Sequence, residues 1–413
     1  MKNLFVVNNN GSYFLFMASL YVISPLLCLI VALIYYKKPV SQFFFIAYAF
    51  FFGYALGPNL DLMMHYENYL KIMNKSFWGM YTDFETLYIG QEPFHITFKY
   101  ILSKFHATQR LFGGCACALY TTFVIFFIRQ FRYIYQKHLD LCQTLLLLSI
   151  VVVVEFYWYF GMRFWSGCFV FMICYCKHVV TGRKLYLYLT PLCMLFHIAL
   201  AIIVLVGFVS YYLRNKRIFI YLVFLTSFVF RFVHFAFDKW MASLGIVKTF
   251  YKSNYQKDFY HEAIAKVTKE QLESGNIVYT NRVPLMIGFS IFLFLILNFK
   301  NKLFNRQHPQ MFAMVLLMVA VSNFGYSDYL FYERFFKFAT LLSFSYLFLI
   351  LDNPLNQWIF KYISIKIVFF IIVILSLAIA LFQQRMIISD INLWLGNFFS
   401  DISLSELHNG YKK

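Results

Sequence analysis

Charge is what this chain has least of. Asp, Glu, Lys and Arg make up 13% of its 413 residues, where a soluble domain carries about a quarter. One aqueous core could not hide the apolar remainder, 61% of the chain, so lipid is the expected solvent for most of it. Strand-like alternation is missing too. The apolar runs are continuous, which selects helices over a barrel, because a helix satisfies its own backbone in lipid. HExxH, GxSxG and a glycine-rich phosphate loop are all absent, and with them the chemistries those motifs serve. No internal repeat is legible, so the usual pointer to a transporter is lacking. No long basic stripe accompanies the net charge of +18, which argues against nucleic acid. The first apolar run lacks the basic region of a cleavable signal peptide and is long enough to span, so a retained helix is expected. The eight cysteines lie in or at the ends of apolar runs. Cys115/Cys117 and Cys174/Cys176 are spaced i,i+2 and do not face each other on a helix, so they read as small apolar filler rather than a metal or disulfide site.

What is present is a series of apolar runs, near 13–36, 40–60, 111–128, 140–160, 163–180, 185–213, 217–237, 284–299, 310–325, 335–351 and 362–382. Mean hydropathy is +0.65. Short basic clusters separate the runs: Lys37-Lys38, Arg129/Arg132/Lys137, Lys177/Arg183/Lys184, Arg214/Lys216/Arg217 and Lys300/Lys302/Arg306. The positive-inside bias puts all of them in the cytoplasm. That holds only if 185–213 enters and returns as two short helices meeting near His197. The expected fold is therefore all-α and polytopic, with about twelve membrane helices, a helical hairpin near 185–213 and both termini outside. A single long tilted helix over 185–213 is the alternative. The outward segments share a character. The region 61–110 is an acidic, aromatic loop, and 94–106 within it reads as an interfacial helix. There Phe94, Phe98, Ile101, Leu102 and Phe105 share an apolar face, with Lys99, Ser103 and Lys104 opposite. The largest loop is 238–283, and 383–413 is an amphipathic tail.

On this topology Glu92, His95, Glu155, Arg163, His197, Arg231, His234, Asp328, Glu333 and Arg334 all open to one leaflet. A charge near the bilayer centre costs about 3 kcal/mol, so such groups face a partner or a polar cavity. Each has a plainer reading. Arg163 could snorkel to headgroups, Glu333 and Arg334 could form a structural ion pair, and His197 could be a neutral core histidine. Arg231 and His234, one turn apart, could pair with Glu155 or line a groove. Convergence favours function. Arginines that fork phosphate oxygens in a dry site, with aromatic and acidic loops for sugars, suit a lipid-linked diphosphate sugar. Asp83-Phe84-Glu85 is a weak metal candidate, and no metal or cofactor is expected.

The stretch Gly161-Met162-Arg163-Phe164-Trp165-Ser166-Gly167, the basic turn Gly182-Arg183-Lys184, and Leu195-Phe196-His197-Ile198-Ala199-Leu200 together resemble the core of EpsG-type proteins, the Wzy-like polymerases of surface polysaccharides. Pro58-Asn59-Leu60-Asp61 with Tyr66, Glu92-Pro93-Phe94 and Glu333-Arg334-Phe335-Phe336 are similar to further elements of that family, over residues 58 to 336. Gly167 stands where a small Ala is usual, His95 where Gly often follows Glu-Pro, and Ile198 where a polar or aromatic residue often follows the His. The resemblance implies an O-antigen, capsule or exopolysaccharide polymerase of the bacterial inner membrane. Its donor and acceptor would be undecaprenyl-diphosphate-linked oligosaccharides, and its other partners membrane lipid and a chain-length regulator. Arg163, Arg334 and Arg231 would bind diphosphate, and His197 would be the base, with Glu92 and Asp61 as competitors. His95, His234, Tyr66 and Asp328 would contact sugar. A flippase of the lipid-linked unit, or another polyprenyl-phosphate-dependent glycosyltransferase or ligase, is the alternative.

Overall fold

The computed structural model describes residues 10–56, 60–82, 92–135, 161–243, 308–325 and 329–351, and all regular structure among them is helical. The runs 140–160, 284–299 and 362–382 lie outside the described residues. So do the loop beyond Ser243, the tail 383–413, and Asp83, Glu85, Glu155 and Asp328. Among the described residues two helices are long and apolar enough to cross a membrane, Gln109–Phe131 and Met162–Thr181. At about 1.5 Å per residue, the 20 residues of the second reach about 30 Å, the thickness of a hydrocarbon core.

The first apolar run departs from expectation. It is not one spanning helix but two, α1 (Asn10–Ile23) and α2 (Pro25–Ile34). Ser24 is extended (φ −151°, ψ 99°), its hydroxyl accepts from the Leu27 N–H, and Pro25 begins α2 without an N–H to continue α1. The break is a reversal: the rings of Tyr13 and Tyr35 lie 6.0 Å apart, and Lys38 Nζ sits 4.3 Å over Tyr13. The Asn10 end of α1 therefore lies beside the Lys37–Lys38 turn rather than across the molecule from it. A period of apolar residues carries no record of such a turn; only the Ser-Pro pair does.

Helix α3 (Pro39–Leu56) crosses α7 (Gln109–Tyr135) at a patch of small residues. A Cβ on Gly53 would collide with the Gly113 carbonyl oxygen and the Cys117 Cβ, and one on Gly114 would press on Phe50. This close approach is how helices gain contact where apolar burial offers no driving force. Between these two helices the chain forms α4 (Leu60–Ile72), α5 (Phe77–Thr82) and α6 (Pro93–Ser103), so much of the region read as a loop is helical.

Helix α8 (Met162–Thr181) stops at Gly182, whose φ of +69° lets its N–H reach the His178 carbonyl. The segment read as a hairpin follows: α9 (Lys184–Tyr188), a 3-10 turn (Thr190–Leu195), a second 3-10 turn (Ile198–Leu200) and α10 (Ala201–Leu213). His197, between the two 3-10 turns, is extended (φ −160°, ψ 122°). The arms run back along each other, with the Tyr188 and Phe208 rings 6.1 Å apart. Both arms lie on α8. The tip meets its start, where a Cβ on Gly167 would strike Leu200 and come within 3.0 Å of Phe196 Cβ. The base meets its end, with His178 and Tyr211 rings 5.4 Å apart.

Helices α11 (Arg217–Ser243), α12 (Pro309–Phe324) and α13 (Tyr329–Leu351) complete the bundle. Residues 335–349 of α13 are buried on every side, as are most of α12's, so these helices form the centre of the described core. Asn323 Nδ2 donates to Ser227 Oγ at 3.0 Å and ties α12 to α11. The outer faces of the bundle carry exposed apolar side chains such as Leu15, Ile23, Ile34, Leu205 and Ile218. So extensive an apolar exterior is foreign to a water-soluble monomer.

Candidate functional site

The site gathers where α6 begins, where α8 begins and at the tip of the hairpin. Pro93 fixes the first turn of α6, so Glu92 takes the cap position, extended and 7% exposed. Its Oε2 accepts from Arg163 Nη1 at 2.9 Å, joining α6 to the first turn of α8. Both groups are largely buried, with the Arg163 side chain 12% exposed. A charge-assisted bond in so dry a place is strong, and losing either partner strands the other.

His197 brings the hairpin tip to this pair. Its Nδ1 accepts the Ala199 N–H at 3.2 Å and lies 3.9 Å from Glu92 Oε1. One ring nitrogen cannot accept the backbone hydrogen and also donate to a carboxylate. At 3.9 Å the second approach is too long for a hydrogen bond, so the cap sets the tautomer and neutral His197 carries its proton on Nε2. In that form the ring presents a donor rather than a base. Protonated on Nδ1, the ring would release the Ala199 N–H and turn toward Glu92.

Phe164, next to Arg163, is the hub for the remaining elements. Its ring is 5.8 Å from His197 and 5.8 Å from Phe335, and the Arg334 guanidinium carbon lies 5.6 Å from it. The structure thus brings Glu92, Arg163, His197 and Arg334 into one neighbourhood. Phe94 stacks on Phe196 at 3.9 Å and locks α6 to the tip.

Helix α6 departs in part from the interfacial helix expected. Phe98 and Leu102 are buried (8% and 4% exposed), but Lys99 and Ser103 are buried beside them (4% and 6%), whereas Ile101 and Phe105 face out (52% and 70%). The buried stripe is Glu92, His95, Lys99 and Ser103, spaced so that each lies one turn from the next. Glu92 turns inward to meet Arg163. The His95 ring meets His65 of α4 edge-on at 4.2 Å, and neither of its nitrogens has a hydrogen-bond partner among the described residues. Short α6 does not span, and burial holds His95 neutral, well below the usual histidine range. The charges of His65, Lys99, Arg163 and His197 push the same way.

Other expected site residues stand apart or are placed by backbone alone. Tyr66 packs against Tyr69 and Phe112, with centroids 5.8 and 5.5 Å away, in the aromatic core rather than at Glu92. Asp61 lies in the first turn of α4, and Arg231 and His234 lie in α11 just past Phe230, whose ring touches Phe324. Asp328 lies outside the described residues. His65 and Lys99 are the residues that pattern reading missed. The one-turn spacing of Glu92, His95 and Lys99 was the available signal for Lys99, obscured by reading α6 as polar-side-out. His65 had no comparable signal. Among the described residues no group of three or more His, Cys, Asp or Glu is placed to hold a metal. No family model, curated protein or solved structure matches the chain.

Proposed function

We propose that this chain is a multi-pass membrane glycosyltransferase that polymerises undecaprenyl-diphosphate-linked repeat units at the outer leaflet of a bacterial inner membrane. The observation that carries the reading is the buried Glu92–Arg163 pair with His197 beside it. It supplies an anion-binding fork, a carboxylate and an N–H donor in one dry place. The polytopic placement, with about twelve membrane helices besides the extra reversal at Ser24, rests on the apolar runs and basic turns.

In the proposed step a hydroxyl of the acceptor sugar attacks the anomeric carbon of the donor. The new C–O bond forms as the bond to the diphosphate oxygen breaks, and polyprenyl diphosphate leaves with its electron pair. Arg163 and Arg334 stabilise that oxygen, and Arg231 is a third candidate. The hydroxyl proton passes to Glu92. With substrate absent Glu92 is bound to Arg163, and a diphosphate that takes Arg163 releases that bond so that the carboxylate can face the acceptor hydroxyl. His197 contributes its Nε2 hydrogen to a phosphate or sugar oxygen instead of acting as the base.

The test is purified protein with lipid-linked repeat units, read as a ladder of extended chains. Native protein is expected to give a ladder and Arg163→Ala none at normal expression; full extension by Arg163→Ala would overturn the role of Arg163. A flippase is the second reading, favoured by the helix breaks at Ser24 and His197, since broken helices mark binding sites in transporters. Translocation of the lipid-linked unit without new glycosidic bonds would establish it instead.

A further inference from the structure

At the end of the molecule away from Glu92, three segments converge. The end of α8 brings Lys177, the turn into α9 brings Arg183 and Lys184, and the turn into α11 brings Arg214, Lys216 and Arg217. They meet around Tyr211. The Arg214 guanidinium carbon lies 4.3 Å over its ring while Nη1 donates to its carbonyl at 3.0 Å. The charges of Lys184 and Arg214 both bear on its hydroxyl. His178 packs on the same ring at 5.4 Å, and its Nδ1 is 3.0 Å from the Arg183 carbonyl oxygen, fixing the Arg183 turn. Lys177 Nζ sits 4.6 Å over Tyr186.

Among the described residues no carboxylate pairs with these cations. None occurs in the sequence between Glu155 and Asp238. The positive-inside bias asks for basic turns, but not for Lys184 and Arg214 of two of them to close on one tyrosine. Around the patch Leu185, Tyr188, Tyr212 and Ile218 are exposed, between 58% and 77%. Cations ringed by exposed apolar side chains match an anion that carries acyl chains better than a soluble one.

We propose that this end of the bundle binds the headgroup of an anionic phospholipid, its phosphate among Arg183, Lys184 and Arg214 and its chains along the flank of α9 and α10. The proposal requires only that the chain sits in a bilayer, not that it transfers sugar, so each can fail without the other. The experiment is native mass spectrometry of the full chain released from nanodiscs of mixed phosphatidylglycerol and phosphatidylcholine. Phosphatidylglycerol is expected to stay bound in excess. The triple variant Arg183→Gln/Lys184→Gln/Arg214→Gln should weaken its retention by at least about tenfold, and Arg183→Lys/Arg214→Lys should keep most of it. If the triple variant does not stay monodisperse, Arg183→Gln/Lys184→Gln, both at exposed positions, gives the same reading. Equal retention of phosphatidylcholine, unchanged retention by the variants, or displacement of the lipid by millimolar inorganic phosphate would overturn the proposal.

Discussion

His197 uses Nδ1 for architecture and leaves chemistry to the rest of the ring. Removing the ring removes both, but asparagine separates them, because its side-chain oxygen is among the best acceptors at a cap. His197→Ala is expected to lower stability in detergent by about 1 kcal/mol and to abolish chain extension. His197→Asn should regain the stability and not the extension. Extension by the Asn variant would reduce His197 to a cap. His95 makes a different prediction. Its folded proton affinity is depressed by burial, so its stabilising contribution is full above the unfolded value of about 6.5. As pH falls below that value the unfolded chain takes a proton that the native chain refuses, and stability drops down through the folded value. Denaturation midpoints from about pH 7 to about pH 5 should therefore fall, and less steeply in His95→Phe. Burial first, and then the charges of His65, Lys99, Arg163 and His197, set how far the folded value lies below the unfolded one.

Between elements, the contact that decides the site is the seat of the hairpin tip on Gly167. The family that the sequence resembles usually has Ala there, yet a Cβ here would strike Leu200 and crowd the Cys193 carbonyl and Phe196. Gly167→Ala is expected to shift the tip away from Glu92, measured as loss of chain extension with only a modest change in melting temperature; wild-type extension would show the tip to be free to yield. Legibility follows the same scale. Helices α8 and α12 coincide with apolar runs because Gly182 and Pro309 punctuate them. The doubled α1–α2 did not show, because composition is the same on both sides of Ser24. The burial of Lys99 and Ser103 in α6 is not legible, because a stripe of Phe and Ile reads as the whole core face only when the polar residues lack buried partners. Arg163 gives Glu92 such a partner and the His65 ring packs on His95, and both come from segments distant in sequence.

For the whole molecule, the sequence carried the helical class and the gathering of Glu92, Arg163, His197 and Arg334, since charges in apolar runs must find one another. It could not carry the sidedness of α1, and that is testable. In a cysteine-free background, cysteines at Asn10 and Lys38 should react with an impermeant reagent from the same side of the membrane, and one at Phe105 from the opposite side. Labelling of Asn10 together with Phe105 would restore a single first span.

The hairpin also has a history written into its dimensions. The arms 184–195 and 198–213 are each too short to cross a bilayer. In the proposed membrane placement neither arm can be accepted by the insertion machinery alone. They can enter only as a pair, against an α8 already in place, and synthesis from the N-terminus delivers α8 first. The order of the chain thus serves as an assembly schedule. A circular permutant that made α9 and α10 before α8 would have nothing to dock them on.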